Sequence, residues 1–376
     1  MKIAQVAPLI ESVPPRLYGG TERIVSYLTE ELVGHGHDVT LFASGDSITS
    51  AELAPCCNRA LRLDHTAGDA MPHFMMMIDK VRERAAEFDI IHFHIDLLHF
   101  PLFRSLAART VTTLHGRQDL GELKSFYSRF VAMPLVSISN DQRRPLPRAN
   151  FVATVQHGLP ADLHPPAFEK GSYLAFLGRI SPEKRPDRAI RIARAAGIPL
   201  KIAAKVDKAD EDYFRNDIRP LIDGPGVEFI GEINEREKTK FLGEAAALLF
   251  PVDWPEPFGL VMIEAMACGT PVLAFRCGSV PEIIENGITG RIVDNEAEAI
   301  AALPGILSCD RRAIRQRFEK RFTAARMAQD YVGVYRRLIM RASDDELQNS
   351  WPRRLDLDRG NGLAHVSPER LLAAAE

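Results

Sequence analysis

Apolar residues recur along this 376-residue chain with two periods, and the two periods alternate. Short runs rich in β-branched residues are followed by longer stretches with apolar positions three or four apart, the pattern of βα units that build a parallel sheet. "KIAQVAPL" precedes the helical "TERIVSYLTEELVGHG", and "DVTLFAS" precedes a polar loop and a helix ending near Glu87. "FDIIHFH", another helix, "TVTTLHG", "PLVSIS" and "FVATVQH" complete one doubly wound unit that ends near residue 158.

"GLPADLHPPAFEKG" gathers proline and glycine without periodicity and reads as a linker. A second series follows: "SYLAFLGR", a helix from Pro186 to Ala196, "LKIAAKV", a helix around Asp212, "VEFIGEI", a helix through Phe241, "ALLFPV", a helix near Phe258, "PVLAFR" and "GRIV". The expected division is a first domain over 1–160, a linker over 161–170, a second domain over 171–330, a closing helix over 331–345 that packs back on the body, and a loosely ordered polar tail over 346–376. Two α/β units in tandem set their carboxyl-end loops across a cleft, where open sheets of this kind bind ligands.

An apolar content of 46% is ample for two cores, and a net charge of −3 from 47 basic and 50 acidic residues gives no overall attraction to nucleic acid. Peripheral contact with an anionic surface is left to local patches such as "NDQRRPLPRAN". Five cysteines, an odd count without C-x-x-C spacing, point away from disulfides and structural zinc and fit a reducing cytoplasm. "MKIAQVAPLI" has no cleavage site of a secretory signal and reads as a buried strand. His92 and His94 share one face of a strand, but no third ligand stands at metal-binding spacing, so these and His99 take structural or cleft-edge places. Met75, Met76 and Met77 read as adaptable packing.

Candidate chemistry lies where strands end. Gly19 and Gly20 immediately precede a helix, whose free N–H groups suit an anion. In the second unit "LGRISPEKRP" sets Arg179 and Lys184 beside Gly178 in the matching position, where two cations suit a diphosphate. In "WPEPFGLVMIEAMACGTPV", Glu256 stands just before a helix expected to start near Phe258, and Glu264 stands inside it. Eight residues of helix rise about 12 Å and turn by about 80°, so the two carboxylates grip two parts of one extended ligand rather than each other.

These segments resemble the retaining glycosyltransferases of family 4. "EPFGLVMIE" is similar to that family's E-x7-E signature, and "YGGTERIV", "TTLHG", "GRISPEKR" and "GSVPEIIENGITGRIV" stand in the family's order from about Met1 to about Tyr335. The resemblance implies a GT-B fold, two Rossmann-like domains facing a central cleft, and transfer of a sugar from a nucleoside-diphosphate donor to a hydroxyl acceptor. Arg179, Lys184 and Lys205 stand at the cleft edge where a metal-dependent site would need carboxylates aimed at the phosphates, so no metal or other cofactor is expected. By matching motif, Arg179 and Lys184 would stabilise the departing diphosphate and Glu264 would hold the ribose. Glu256, with the backbone of Phe258, Gly259 and Leu260, would approach the donor sugar and phosphate. His115 would face that sugar, Gly20 would approach the diphosphate beside Gly19, and Gly178, Lys205, Gly231 and Ile233 would complete the donor site. Three departures bear on donor identity: "AAKVD" in place of a glycine-rich turn, "EKR" for "EKG", and "VQHGLP" where asparagine-glycine is frequent. An epimerase or a non-catalytic nucleotide-sugar sensor would share the fold and the nucleotide grip, and a bilobal solute-binding protein would need an export signal.

Overall fold

The structure, a computed structural model, describes residues 1–350 except Leu17, Tyr18 and His65, and for 344–350 the backbone only. The part of the expected tail from 351 to 376 lies outside the described residues. Among the described residues thirteen strands form two sheets. In the first domain they are β1 (Lys2–Val6), β2 (Asp38–Ser44), β3 (Glu52–Cys57), β4 (Ile90–Phe93), β5 (Thr110–Thr113), β6 (Leu135–Ser137) and β7 (Phe151–Thr154), in the order β3-β2-β1-β4-β5-β6-β7. In the second they are β8 (Tyr173–Ile180), β9 (Leu200–Val206), β10 (Val227–Gly231), β11 (Ala245–Phe250), β12 (Val272–Phe275) and β13 (Gly290–Val293), in the order β10-β9-β8-β11-β12-β13.

All neighbouring strands are parallel, as in β1 against β4 and β8 against β11. Helices cover both faces, which is why the central strands are continuous apolar runs, with β1, β4 and β5 buried along nearly their whole length. In each sheet the strand order reverses once, between β1 and β4 and between β8 and β11. Ligands of doubly wound sheets bind outside the carboxyl ends at such points. Here the two switch points supply both walls of one cleft.

Several features differ from expectation. β3 stands where a polar loop was expected, because it is an edge strand with one buried residue, Ala54, and a proline, Pro55, that an edge tolerates. The helix around Asp212 is broken by a π turn over Phe214–Ile218, just before Pro220. Proline lacks the N–H that would continue the regular ladder. Met77 is buried, but Met75 and Met76 are exposed, because helix Met71–Glu83 covers the sheet with one face only.

The closing helix begins earlier than 331 and reaches beyond 345, running over Ala324–Ser350. Tyr331, Tyr335 and Leu338 sink into the first domain beside Ile3, Ile24, Leu28 and Val111. The chain therefore crosses between domains twice, and the crossings lie side by side. Leu159 N–H donates to Phe322 O at 2.9 Å, and Ala324 N–H donates to Leu159 O at 2.7 Å. A Cβ on Gly158 would sit 2.1 Å from Thr323 O, so the two segments touch backbone to backbone. Two buried arginines tie down the proline-rich segment that follows: Arg315 donates to the carbonyls of Ala161 and His164, and Arg311 to that of Ala167.

Candidate active site

A cavity of about 700 Å³ opens between the two carboxyl edges. The loop after β8 supplies Gly178, Arg179 and Lys184; β9 ends in Lys205; Ile233 follows β10. The loop after β11 and the helix beyond it supply Glu256, Phe258, Gly259, Leu260 and Glu264. From the first domain come Gly19, Gly20 and His115. Of the residues singled out by sequence, Gly231 alone does not border the cavity; its backbone, at φ 78°, turns the chain out of β10.

Helix Leu260–Ala267 starts two residues later than expected. Residues 256–259 are not helical, and Gly259 makes a corner at φ 82°. Glu256 and Glu264 are therefore not separated by eight residues of helix. Glu256 reaches back over the cleft, where it pairs with Lys184 and accepts the indole N–H of Trp254 at 2.8 Å. The loop is held from beneath: Ser279 N–H donates to Glu256 O at 3.0 Å, and Ser279 Oγ to Phe258 O at 2.7 Å. Between these contacts Gly278, at φ 54°, lies so close that a Cβ would be 2.4 Å from the backbone of Glu256.

The cations meet carboxylates already in the protein. Lys184 also stacks on Trp254, 5.0 Å from the ring centre. Arg117 of the first domain lies 5.7 Å from the same ring. Arg179 pairs with Glu183 at 2.6 Å and approaches Asp207 and Asp210 at 3.6 and 3.8 Å. Lys205 pairs with Asp207 at 2.6 Å, which holds the Asp207 carboxyl below its ordinary range.

Deeper in, Glu264 is buried and paired with Lys238 at 2.8 Å. Glu235 joins this group through Lys238 and through Arg23, which reaches across from the first domain. Burial pushes the Glu235 carboxyl up, but His164, Lys238 and Arg23 outweigh it and hold it well below the usual range. His164, Glu235 and Glu264 stand close enough for their ligand atoms to share one ion, but Lys238 and Arg23 already carry compensating positive charge there.

On the opposite wall, Glu11 pairs with Arg62, and burial raises its carboxyl nonetheless. Glu22 is buried, raised by desolvation, and held by backbone N–H groups of Glu11 and Glu22. Sequence reasoning passed over Arg23, Lys238, Glu11, Arg62 and Trp254. Arg23 and Trp254 lie inside the quoted motifs, so their place beside the named residues was the available signal.

The histidines are structural in part. His92 is buried between Tyr335 and Thr113, and His99 bonds to Thr112. His94 touches His115, whose ring stacks on His157 at 5.3 Å. The patch "NDQRRPLPRAN" is partly an interdomain contact, with backbone N–H groups of Asn140 and Asp141 donating to Glu282 at 2.8 Å. Among the described residues no helix is long and apolar enough to cross a membrane.

Known proteins share the fold of both domains. Residues 18–163 match the family described as Glycosyltransferase Family 4, and residues 164–321 match Glycosyl transferases group 1. A phosphatidyl-myo-inositol mannosyltransferase of Mycolicibacterium smegmatis is 25% identical over 342 residues, covering 82% of this chain and 86% of that one. The sucrose-phosphate synthase of Thermosynechococcus elongatus superposes with a TM-score of 0.72 at 20% identity, over 91% of this chain and 100% of the other. Anabaena HepE, solved in complex with UDP-glucose, superposes with a TM-score of 0.65 at 16% identity, over 92% of this chain and 100% of the other. Two parallel-sheet domains around one cleft, matched across both halves, make this chain a member of glycosyltransferase family 4 with the GT-B fold.

Proposed function

We propose that the protein is a retaining glycosyltransferase that moves a hexose-type sugar from a nucleoside-diphosphate donor to a hydroxyl of a glycan, lipid or small molecule, without a metal ion. The observation that carries this reading is that Arg179, Lys184, Glu256 and Glu264 border one cavity although they come from separate loops and a helix. A diphosphate leaving its sugar gains negative charge, and preorganised cations at that place stabilise the transition state more than the bound donor. Arg179 and Lys184 fill that role by exchanging their present carboxylate partners for phosphate oxygens. Glu264, fixed by Lys238, suits a pair of ribose hydroxyls, because an ionised carboxylate accepts from both. Glu256 lies on the Lys184 side, next to the breaking bond.

Retention follows from a front-face displacement, the course implied by the family. The acceptor hydroxyl attacks from the side the diphosphate is leaving, and its proton passes to a departing phosphate oxygen. The likenesses to a mannosyltransferase and to a protein solved with UDP-glucose favour a nucleotide-sugar donor. The test is thermal stabilisation by UDP, GDP and ADP and their sugar conjugates, followed by NMR of the product's anomeric configuration. A ligand at 100 times its Kd adds about 2.7 kcal/mol of stability. No stabilisation by any of these, or an inverted product, would sink the proposal.

A further inference from the structure

Behind His115 the first domain holds a run of side-chain hydrogen bonds that apolar packing alone does not require. His115 Nε2 lies 2.9 Å from His94 Nδ1, and His94 Nε2 lies 2.9 Å from Gln5 Oε1. Gln5 Nε2 donates to Tyr335 Oη at 3.1 Å. Tyr335 Oη lies 2.8 Å from His92 Nδ1, and His92 Nε2 lies 2.7 Å from Thr113 Oγ1. Gln5, His92, His94, Thr113 and Tyr335 are all buried. The chain links β1, β4, β5 and the closing helix to the cleft.

The direction of each bond between His115 and Gln5 follows from one amide. A neutral imidazole carries one N–H and one lone pair. The Gln5 carbonyl only accepts, so His94 holds its proton on Nε2 and offers its Nδ1 lone pair. His115 must then donate through Nε2, which leaves its own Nδ1 as a lone pair. On the far side Tyr335 accepts from the Gln5 amide and also bonds His92 Nδ1, whose ring reaches Thr113 through Nε2. From His115 inward to Tyr335, each member therefore donates to the next. If the Gln5 amide were reversed, each bond between His115 and Gln5 would reverse with it, and His115 would present an N–H at Nδ1 instead.

His115 borders the cavity, and its Nδ1 has no side-chain partner among the described residues. We infer that Gln5, His94 and Tyr335 are positioning residues that hold His115 in the Nε2–H form, so that its Nδ1 accepts a hydrogen bond from a hydroxyl of the donor sugar. The identity of the hydroxyl-bearing ligand rests on the function proposed above; the tautomer does not. Burial keeps these rings neutral and pushes His115 down to about 3, so that form persists across the physiological range.

The test reads ring nitrogens directly. In long-range 1H–15N spectra of the labelled full chain at neutral pH, with His115→Asn and His94→Asn used for assignment, His115 and His94 should each show a protonated Nε2 and a bare Nδ1. A protonated Nδ1 on His115 overturns the inference. Gln5→Met removes both amide contacts and should turn His115 into a mixture of tautomers. With UDP and GDP as probes, its Kd should stay within about twofold of wild type, while the added affinity of UDP-glucose or GDP-mannose over the bare nucleotide falls by about fivefold, the size of one neutral hydrogen bond. Should Gln5→Met fail to fold, Tyr335→Phe serves instead, since it frees the amide to turn and should give a smaller shift of the same kind. An unchanged sugar increment in a folded variant overturns the positioning role. Failure of every nucleotide to bind overturns the proposed donor, while the spectra still decide the tautomer.

Discussion

Lys184 faces Glu256 and the face of Trp254, so its ammonium is held at the cleft before any ligand arrives. Replacing Lys184 or Arg179 by alanine is expected to lower turnover by about 10²-fold or more, the scale of removing one preorganised group from a transition-state charge. Lys205→Ala should cost less, and turnover should survive excess chelator; loss of activity to chelator with rescue by a divalent ion would show that a metal does the neutralising. If Glu264 holds the ribose as proposed, Glu264→Gln should mainly raise donor Kd, because such a contact persists before and during reaction, whereas Glu256→Gln should lower kcat more than binding. Equal, purely binding effects at both would make Glu256 an anchor. These residues were legible because each stands inside a short motif at a strand end. Glu235 was not, because its meaning comes from Arg23, which lies 212 positions away and meets it only across the cleft.

Among elements, helix Pro186–Ala196 is legible to the residue, with proline at its first position and Gly197 at φ 67° just beyond its end. Helix Leu260–Ala267 is less so, because Gly259 rather than a capping side chain begins it, and all but its first two residues are buried. Periodicity carries little information where nearly every face is covered. What aims Glu256 is a second loop, 277–279, that sequence reading treated only as part of a motif. Gly278→Ala would drive a Cβ into the Glu256 backbone at an unfavourable φ, so kcat is expected to fall at least tenfold, roughly the scale of a slight misplacement of reacting groups. Normal activity in a folded Gly278→Ala protein would show that the loop tolerates displacement.

For the whole molecule, the buried histidines set the response to acid. His92, His94, His99 and His157 are held well below their ordinary range by burial, so the folded protein leaves them neutral while the unfolded chain protonates them near pH 6.5. The unfolded state then binds more protons, so stability rises with pH and is lost as pH falls below about 6.5, by up to roughly 1.4 kcal/mol per unit for each ring. Urea midpoints measured from pH 7.5 to 5 should fall steeply, and a flat profile would show that the rings charge in place. Ending the chain before Tyr331 strips two buried tyrosines from the first domain and should leave it insoluble, as expression and sedimentation would show. The two-domain plan was legible because βα periodicity repeats twice. The pairing of Leu159 with Thr323 was not, since no local pattern records a contact between two distant crossings. That pairing has a mechanical result. A single tether would let the lobes swing and twist in any direction, but two tethers in register resist torsion and leave one soft coordinate, rotation about the line they share. Any opening of the cleft about that line is expected to part Arg23 from Glu235, the pair that joins the two lobes at the cleft.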